Sequence, residues 1–155
     1  MSSASSSVRR IAATVLAAGA VVGAAALPAA AQDRDHGRYP RVEISRVQAD
    51  SPGRDDRSNR SLNGEWVEIT NTTRDAVNLR GWTLRDEDGN RYRFDNVRIN
   101  GRATIRIHTG SGHDTRTDLF QNRRDYIWDN HADTATLRDD RGRTVDTESW
   151  GRRHH

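Results

Sequence analysis

The stretch Asp86, Glu87, Asp88, Gly89, Asn90 sets three carboxylates side by side, the donor type that hard divalent cations such as calcium and magnesium take. A helix-loop-helix calcium loop needs oxygens at alternate positions, a glycine after the third of them and a distal bidentate Glu. Asp86 and Asp88 alternate, but Gly89 arrives too early and no such Glu follows. Asp-Gly flanked by alternating apolar residues is a strong hairpin signal, so the stretch is read as a turn between two strands. The metal reading that remains is a weak calcium site in which Asp86 and Asp88 are joined by carboxylates of another loop.

Other residue types that do chemistry are scattered. His108 and His113 flank Thr109-Gly110-Ser111-Gly112, and His154 and His155 end the chain. Zinc needs convergent ligands at an established spacing, and this is none, so the terminal pair is read as a frayed tail. Ser111 lacks the strand-turn-helix setting of a nucleophile elbow. The absence of Cys excludes thiol nucleophiles, thiolate metal sites and disulfides. No acid-base pair stands out among many carboxylates, so no catalytic residue, metal ligand or cofactor is assigned.

Arg beside aromatics, as in "RYRF" (Arg91–Phe94) and "RDYIWDNH" (Arg124–His131), could hold phosphates and stack bases. The charge balance argues otherwise. The chain has 25 Lys+Arg against 22 Asp+Glu, and every basic residue is Arg, which by itself explains the high isoelectric point. Without residues 1–31, which hold two Arg and no acid, the balance is 23 against 22. Tyr92, Phe94 and Trp128 are therefore assigned to the core and the neighbouring Arg to pairs with Asp, and nucleic-acid binding is not favoured.

The elements that must position these residues begin after residue 31. Arg9 and Arg10, the apolar run Ile11–Leu27 and the A-x-A site at Ala29–Ala31 read as a cleavable signal peptide, 1–31. The mature chain is then expected to have no membrane span and to be secreted, extracellular or associated with the cell envelope. Residues 32–40, "QDRDHGRYP", form a linker, 41–150 a single domain and 151–155 a tail. A hydrophobic content of 33% allows only a thin core.

From Arg41 short alternating runs recur: "RVEIS", "EWVEIT", "VNLRGWTL", "RYRF", "VRI", "ATIRI", "DYIW", "TATLRD" and "RTVDT". The last two are joined by a hairpin turn, Asp139–Gly142, with the glycine at positive φ. The segment 49–64 has no periodicity and is expected as an exposed, mobile loop. No run has a helical period. The pattern predicts an all-β, immunoglobulin-like β-sandwich or a small barrel. Its expected core is Val42, Ile44, Val67, Ile69, Trp82, Leu84, Phe94, Ile105, Ile107, Leu137 and Val145.

In order, "GEWVEITN", "VNLRGWTLRDEDG", "YRF", "VRINGRATIRIHTGSG", "YIWDN" and "DTATLRDDRGRTVD" resemble the lamin tail domain, over roughly Arg41 to Thr147. The specific elements are Trp66, Val67, Ile69 and Asn71 on one strand and Leu79, Gly81, Trp82 and Leu84 on the next. The resemblance implies an immunoglobulin-like sandwich that recognises or tethers a partner rather than a catalyst. Asn100-Gly101 replaces the family's usual Pro-Gly or Ala-Gly turn, and Ala132-Asp133 its usual Gly-Asp.

The chain is accordingly expected to be a secreted, non-catalytic binding or structural module for an unknown protein or cell-envelope component. Two aromatics out of phase with the core are the candidate binding surface: Trp66, opposite in parity to Val67 and Ile69, and Trp150, placed beyond the last strand. Trp66 exposed as an anchor and Trp66 covered by the 49–64 loop are equally open. The rival classes are a secreted hydrolase or accessory dependent on a divalent metal, and an extracellular nucleic-acid-binding module.

Overall fold

The computed structural model describes residues 41–151. The signal peptide expected over 1–31, the linker over 32–40 and residues 152–155 of the tail expected over 151–155 lie outside the described residues, whereas Gly151 closes a strand. Among those described, no helix is long and apolar enough to cross a membrane.

The strand Trp66–Asn71 (β2) alternates without a break, with Val67, Ile69 and Asn71 buried and Trp66, Glu68 and Thr70 outward. It is the centre of the first sheet. Val42–Gln48 (β1) pairs with it on one side and Thr104–His108 (β7) on the other, both antiparallel, and Asp118–Phe120 (β8) adds to β7 in parallel. In β1 the register shifts between Ile44 and Arg46, and this bulge turns Val47 to face Val67 after Val42 and Ile44 have pointed inward.

The second sheet has the order β10-β9-β4-β5, from Thr144–Gly151 (β10), Ala132–Arg138 (β9), Thr83–Arg85 (β4) and Arg91–Arg93 (β5). Val77–Asn78 (β3) and Arg98–Ile99 (β6) form a two-stranded ribbon. Two sheets enclosing one apolar layer, with one four-residue helix, Asn59–Leu62 (α1), among the described residues, make an immunoglobulin-like β-sandwich.

Most of the expected core is buried, but two members are displaced. Trp82 and Val145 only pack against it, half-buried. "VNLRGWTL" is two strands in two sheets, because Gly81 (φ +81°) turns the chain between β3 and β4. The turn puts Leu79, 0% exposed, where continuous alternation would have placed Trp82. Val145 sits at a bulge in β10, between Thr144 and Asp146.

Two further expectations change. "DYIW" is not a strand: Ile127 and Trp128 are buried in irregular backbone. The 49–64 segment is not a bare loop, since it carries α1, whose cap Ser58 accepts from the Ser61 amide at 3.2 Å, and it buries Ser51, Ser61 and Leu62. At Asn100-Gly101 neither residue takes positive φ; Arg102 does, at +65°. Gly101 is needed because a Cβ there would lie 2.0 Å from the Arg74 carbonyl oxygen.

The Asp139–Gly142 hairpin forms as expected, with Gly142 at φ +78°. The Asp139 carboxylate accepts from the amides of Arg141 and Arg143, each at 2.9 Å, and from Arg143 Nε at 2.8 Å. Its pKa lies below the ordinary value: burial raises it, and these donors outweigh the burial.

Candidate functional site

The Asp86–Asn90 stretch is the turn between β4 and β5. Asp86, buried, accepts from the Asn90 amide at 2.7 Å through one carboxylate oxygen and from Asn90 Nδ2 through the other. Asp88 points to solvent, and Glu87 accepts from Thr134 Oγ1 at 2.6 Å. The Glu87 amide donates to Asp133 Oδ1 at 3.1 Å, and Asp133 Oδ2 accepts from Asp129 at the same distance. Asp133 thus staples the turn to the start of β9 where the sequence has Ala132-Asp133. Among the described residues no three His, Asp or Glu gather as a metal site would require.

The outer face of the first sheet is arranged in rows. Gln48, Trp66, His108 and Phe120 stand in register across four strands, and beside them Arg46, Glu68, Arg106 and Asp118 alternate in sign. The Arg106 guanidinium carbon lies 3.9 Å from the centroid of the Trp66 ring, a cation-π geometry. Glu68 Oε1 holds that guanidinium, accepting from Nε at 3.0 Å and Nη2 at 2.6 Å. Trp66 is half-buried, and Arg106 is what stacks on it.

His108 is stacked on Phe120, with centroids 4.9 Å apart and planes 14° from parallel. Its Nδ1 faces the Asn63 carbonyl and its Nε2 faces Asp118 Oδ1, each at 2.9 Å. Both ring nitrogens therefore face oxygens of the fold itself, and neither is aimed at a nucleophile. Asp118 is held below the ordinary carboxylate value by hydrogen bonds from Thr117 and then from His108. His113 is exposed and Ser111 is held by its backbone to Asn59 and Asn63 of the α1 segment.

Trp150 lies within β10, not beyond the last strand. Its ring meets Trp128 at 5.9 Å and 63°, and its Nε1 donates to the Asp129 carbonyl at 2.7 Å. Trp66 and Trp150 sit on strands of different sheets, so they do not form one patch.

Two buried polar residues escaped the sequence reading although parity reveals them. Glu65 and Asn71 share the phase of Val67 and Ile69, and each is 0% exposed. Asn71 is fully satisfied: Nδ2 donates to the carbonyls of Asp75, Ile99 and Asn100, and Oδ1 accepts from the Thr73 amide and hydroxyl. Glu65 Oε1 accepts from the Thr109 hydroxyl and from the Ile127 amide at 2.9 Å, whereas Oε2 is buried with no partner. Burial pushes its pKa up to about 7 against those hydrogen bonds. This carboxylate is what replaces a strand ladder for the Ile127 segment.

The expected pairing of Arg with Asp is sparse. Of the Arg residues in the described chain, Arg57, Arg106 and Arg143 ion-pair with Asp125, Glu68 and Asp139. Arg91 and Arg93, beside Tyr92, do not.

No curated protein matches the chain. The family model of the Lamin Tail Domain matches residues 37–152. With a two-sheet immunoglobulin-like sandwich beneath that match, the chain belongs to the lamin tail domain family.

Proposed function

We propose that the chain is an exported, non-catalytic recognition module that holds a protein or cell-envelope component on the outer face of its first sheet, with Trp66 as anchor. The observation that carries this reading is the Trp66-Arg106-Glu68 stack. Trp and Arg dominate binding hot spots, and side chains ordered beforehand lose little freedom on association. Trp150 is tied to Asp129 and Trp128 and has a supporting role at most.

The non-catalytic character is supported by the family and by how the candidate groups are spent: His108 bridges two oxygens, Asp118 holds His108, and Glu65 is sealed in the core. Export is supported by Arg9-Arg10, the apolar run after it and the A-x-A site.

The test is affinity capture from envelope and culture-fluid extracts on the immobilised chain, with Trp66→Ala alongside. A partner retained by the wild type should lose about thirtyfold in affinity in the variant, the weight of a hot-spot residue near 2 kcal/mol. Equal retention by both proteins would remove the anchor from this face.

A further inference from the structure

The outer face of the second sheet carries a charged surface that the Trp66 face does not explain. Alternation along β4 and β5 turns Leu84 and Tyr92 inward and leaves Arg85, Arg91 and Arg93 outward. On β9 the same alternation puts Arg138 on this face, in register with Thr83. Arg85 is directly opposite Arg91, and like charges facing each other across strands destabilise a sheet. Folding alone gives no reason for that pairing.

Among the described residues no carboxylate ion-pairs with any of these four guanidinium groups, and Arg138 Nε is buried without a hydrogen-bond partner. Two acids stand at the rim of the cleft they line, Asp139 and Asp140. Asp139 is already engaged by Arg143, and Asp140 is exposed at the hairpin tip. Glu87, bonded to Thr134 at the far end of the face, is a third acid, and four Arg still leave the excess positive. The remaining outward positions of β4 and β9 are Thr83, Thr134 and Thr136, with Ala132 at the end, and none is aromatic.

We propose that this face binds a base-free phosphodiester polymer, a polyol-phosphate chain, through Arg85, Arg91, Arg93 and Arg138. The planar fork of Arg takes phosphate oxygens in pairs, which suits it to such a ligand better than a point charge would be. Arg91 and Arg93 are two residues apart on one strand, about 7 Å, so successive phosphates of an extended polymer can each meet a guanidinium. Single-stranded nucleic acids draw much of their affinity from bases stacked on aromatic rings, and this face offers no ring. The hydroxyls of Thr83 and Thr136, between the Arg residues, can hydrogen-bond the polyol oxygens instead.

The experiment titrates the whole chain with poly(glycerol phosphate), with a single-stranded DNA oligonucleotide of equal phosphate number and with polyglutamate of equal charge. The proteins are wild type, the exposed pair Arg91→Gln with Arg93→Gln, and Trp66→Ala, each checked for an unchanged urea midpoint. Wild type should bind the polyol phosphate most tightly, with affinity falling about fiftyfold between roughly 50 and 200 mM salt if four phosphates are neutralised. The Arg pair variant should lose about tenfold or more and roughly half of the salt slope, while Trp66→Ala binds as wild type does. Tighter binding of DNA would make this a nucleic-acid face, and equal binding of polyglutamate would make it an unselective cationic patch. Binding that survives in the Arg pair variant, or no binding at low salt, would equally overturn the proposal.

Discussion

Lowering the pH from 8 to about 5 should stabilise this protein, the reverse of ordinary acid denaturation, and Glu65 is the reason. Its carboxyl is 0% exposed with one oxygen unpartnered, and its pKa is raised from 4.5 to about 7 by burial. At about 1.4 kcal/mol per tenfold in proton affinity, that difference is on the order of 3 kcal/mol. The direction follows from the folded value lying above the unfolded one. Below about 4.5 both states carry the proton and the full contribution is present; as pH rises the unfolded chain ionises first, and by the time the folded chain does so the contribution is gone.

For a domain whose total stability is commonly about 5 to 15 kcal/mol, that is a large share. Urea melts at closely spaced pH values from 4.5 to 8, on wild type and Glu65→Gln, isolate it. The Gln oxygen can still accept from Thr109 and Ile127, but the side chain does not titrate, so its stability should stay flatter across the window. Asp118, Asp129 and Asp139 have lowered values, so their stabilisation is lost only at pH below this window and does not blur the comparison. Parallel curves for the two proteins, or a wild type less stable at pH 5 than at pH 8 relative to the variant, would refute the reasoning.

Leu79→Ala should cost about 2 to 5 kcal/mol by urea denaturation, the range for a buried Leu, because Leu79 rather than Trp82 fills the core at the Gly81 turn. A smaller loss there than in Trp82→Ala would restore Trp82 to the core. Calcium or magnesium should leave the melting temperature unchanged, since both oxygens of Asp86 already hold Asn90; a rise that Asp86→Asn with Asp88→Asn abolishes would make the turn a metal site.

How far the fold could be read varied with the physics of each segment. Uninterrupted alternation, as in Trp66–Asn71 and Thr104–His108, places side chains correctly because a strand has period two and one buried face. Applied without regard to residue type, the same parity also puts Glu65 and Asn71 inside, against the usual exposure of polar side chains. Where a glycine turns the chain, as at Gly81, parity restarts and a prediction carried across it fails.

Strand β8 was illegible because three residues joined in parallel leave no hairpin signal. The Ile127 segment looks like a strand but has its amide taken by a side chain from a distant part of the chain. Arg and Asp pair sparsely for a simpler reason. Residues adjacent in a strand point to opposite faces, so Arg and Asp that neighbour each other in sequence are not thereby neighbours in space.

The contact between β1 and β10 has a consequence for the order of assembly. The Ile44 amide donates to Asp146 Oδ2 at 2.7 Å, so the first strand is clasped by a residue 102 positions later. A chain emerging N-terminus first can pair β1 with β2 early, but the two halves of the sandwich cannot lock until nearly the last residue of the domain has arrived. Such late, long-range closure makes for slow folding. It also keeps the domain open while it is being made, and lets it become rigid only once the last strand has been synthesised.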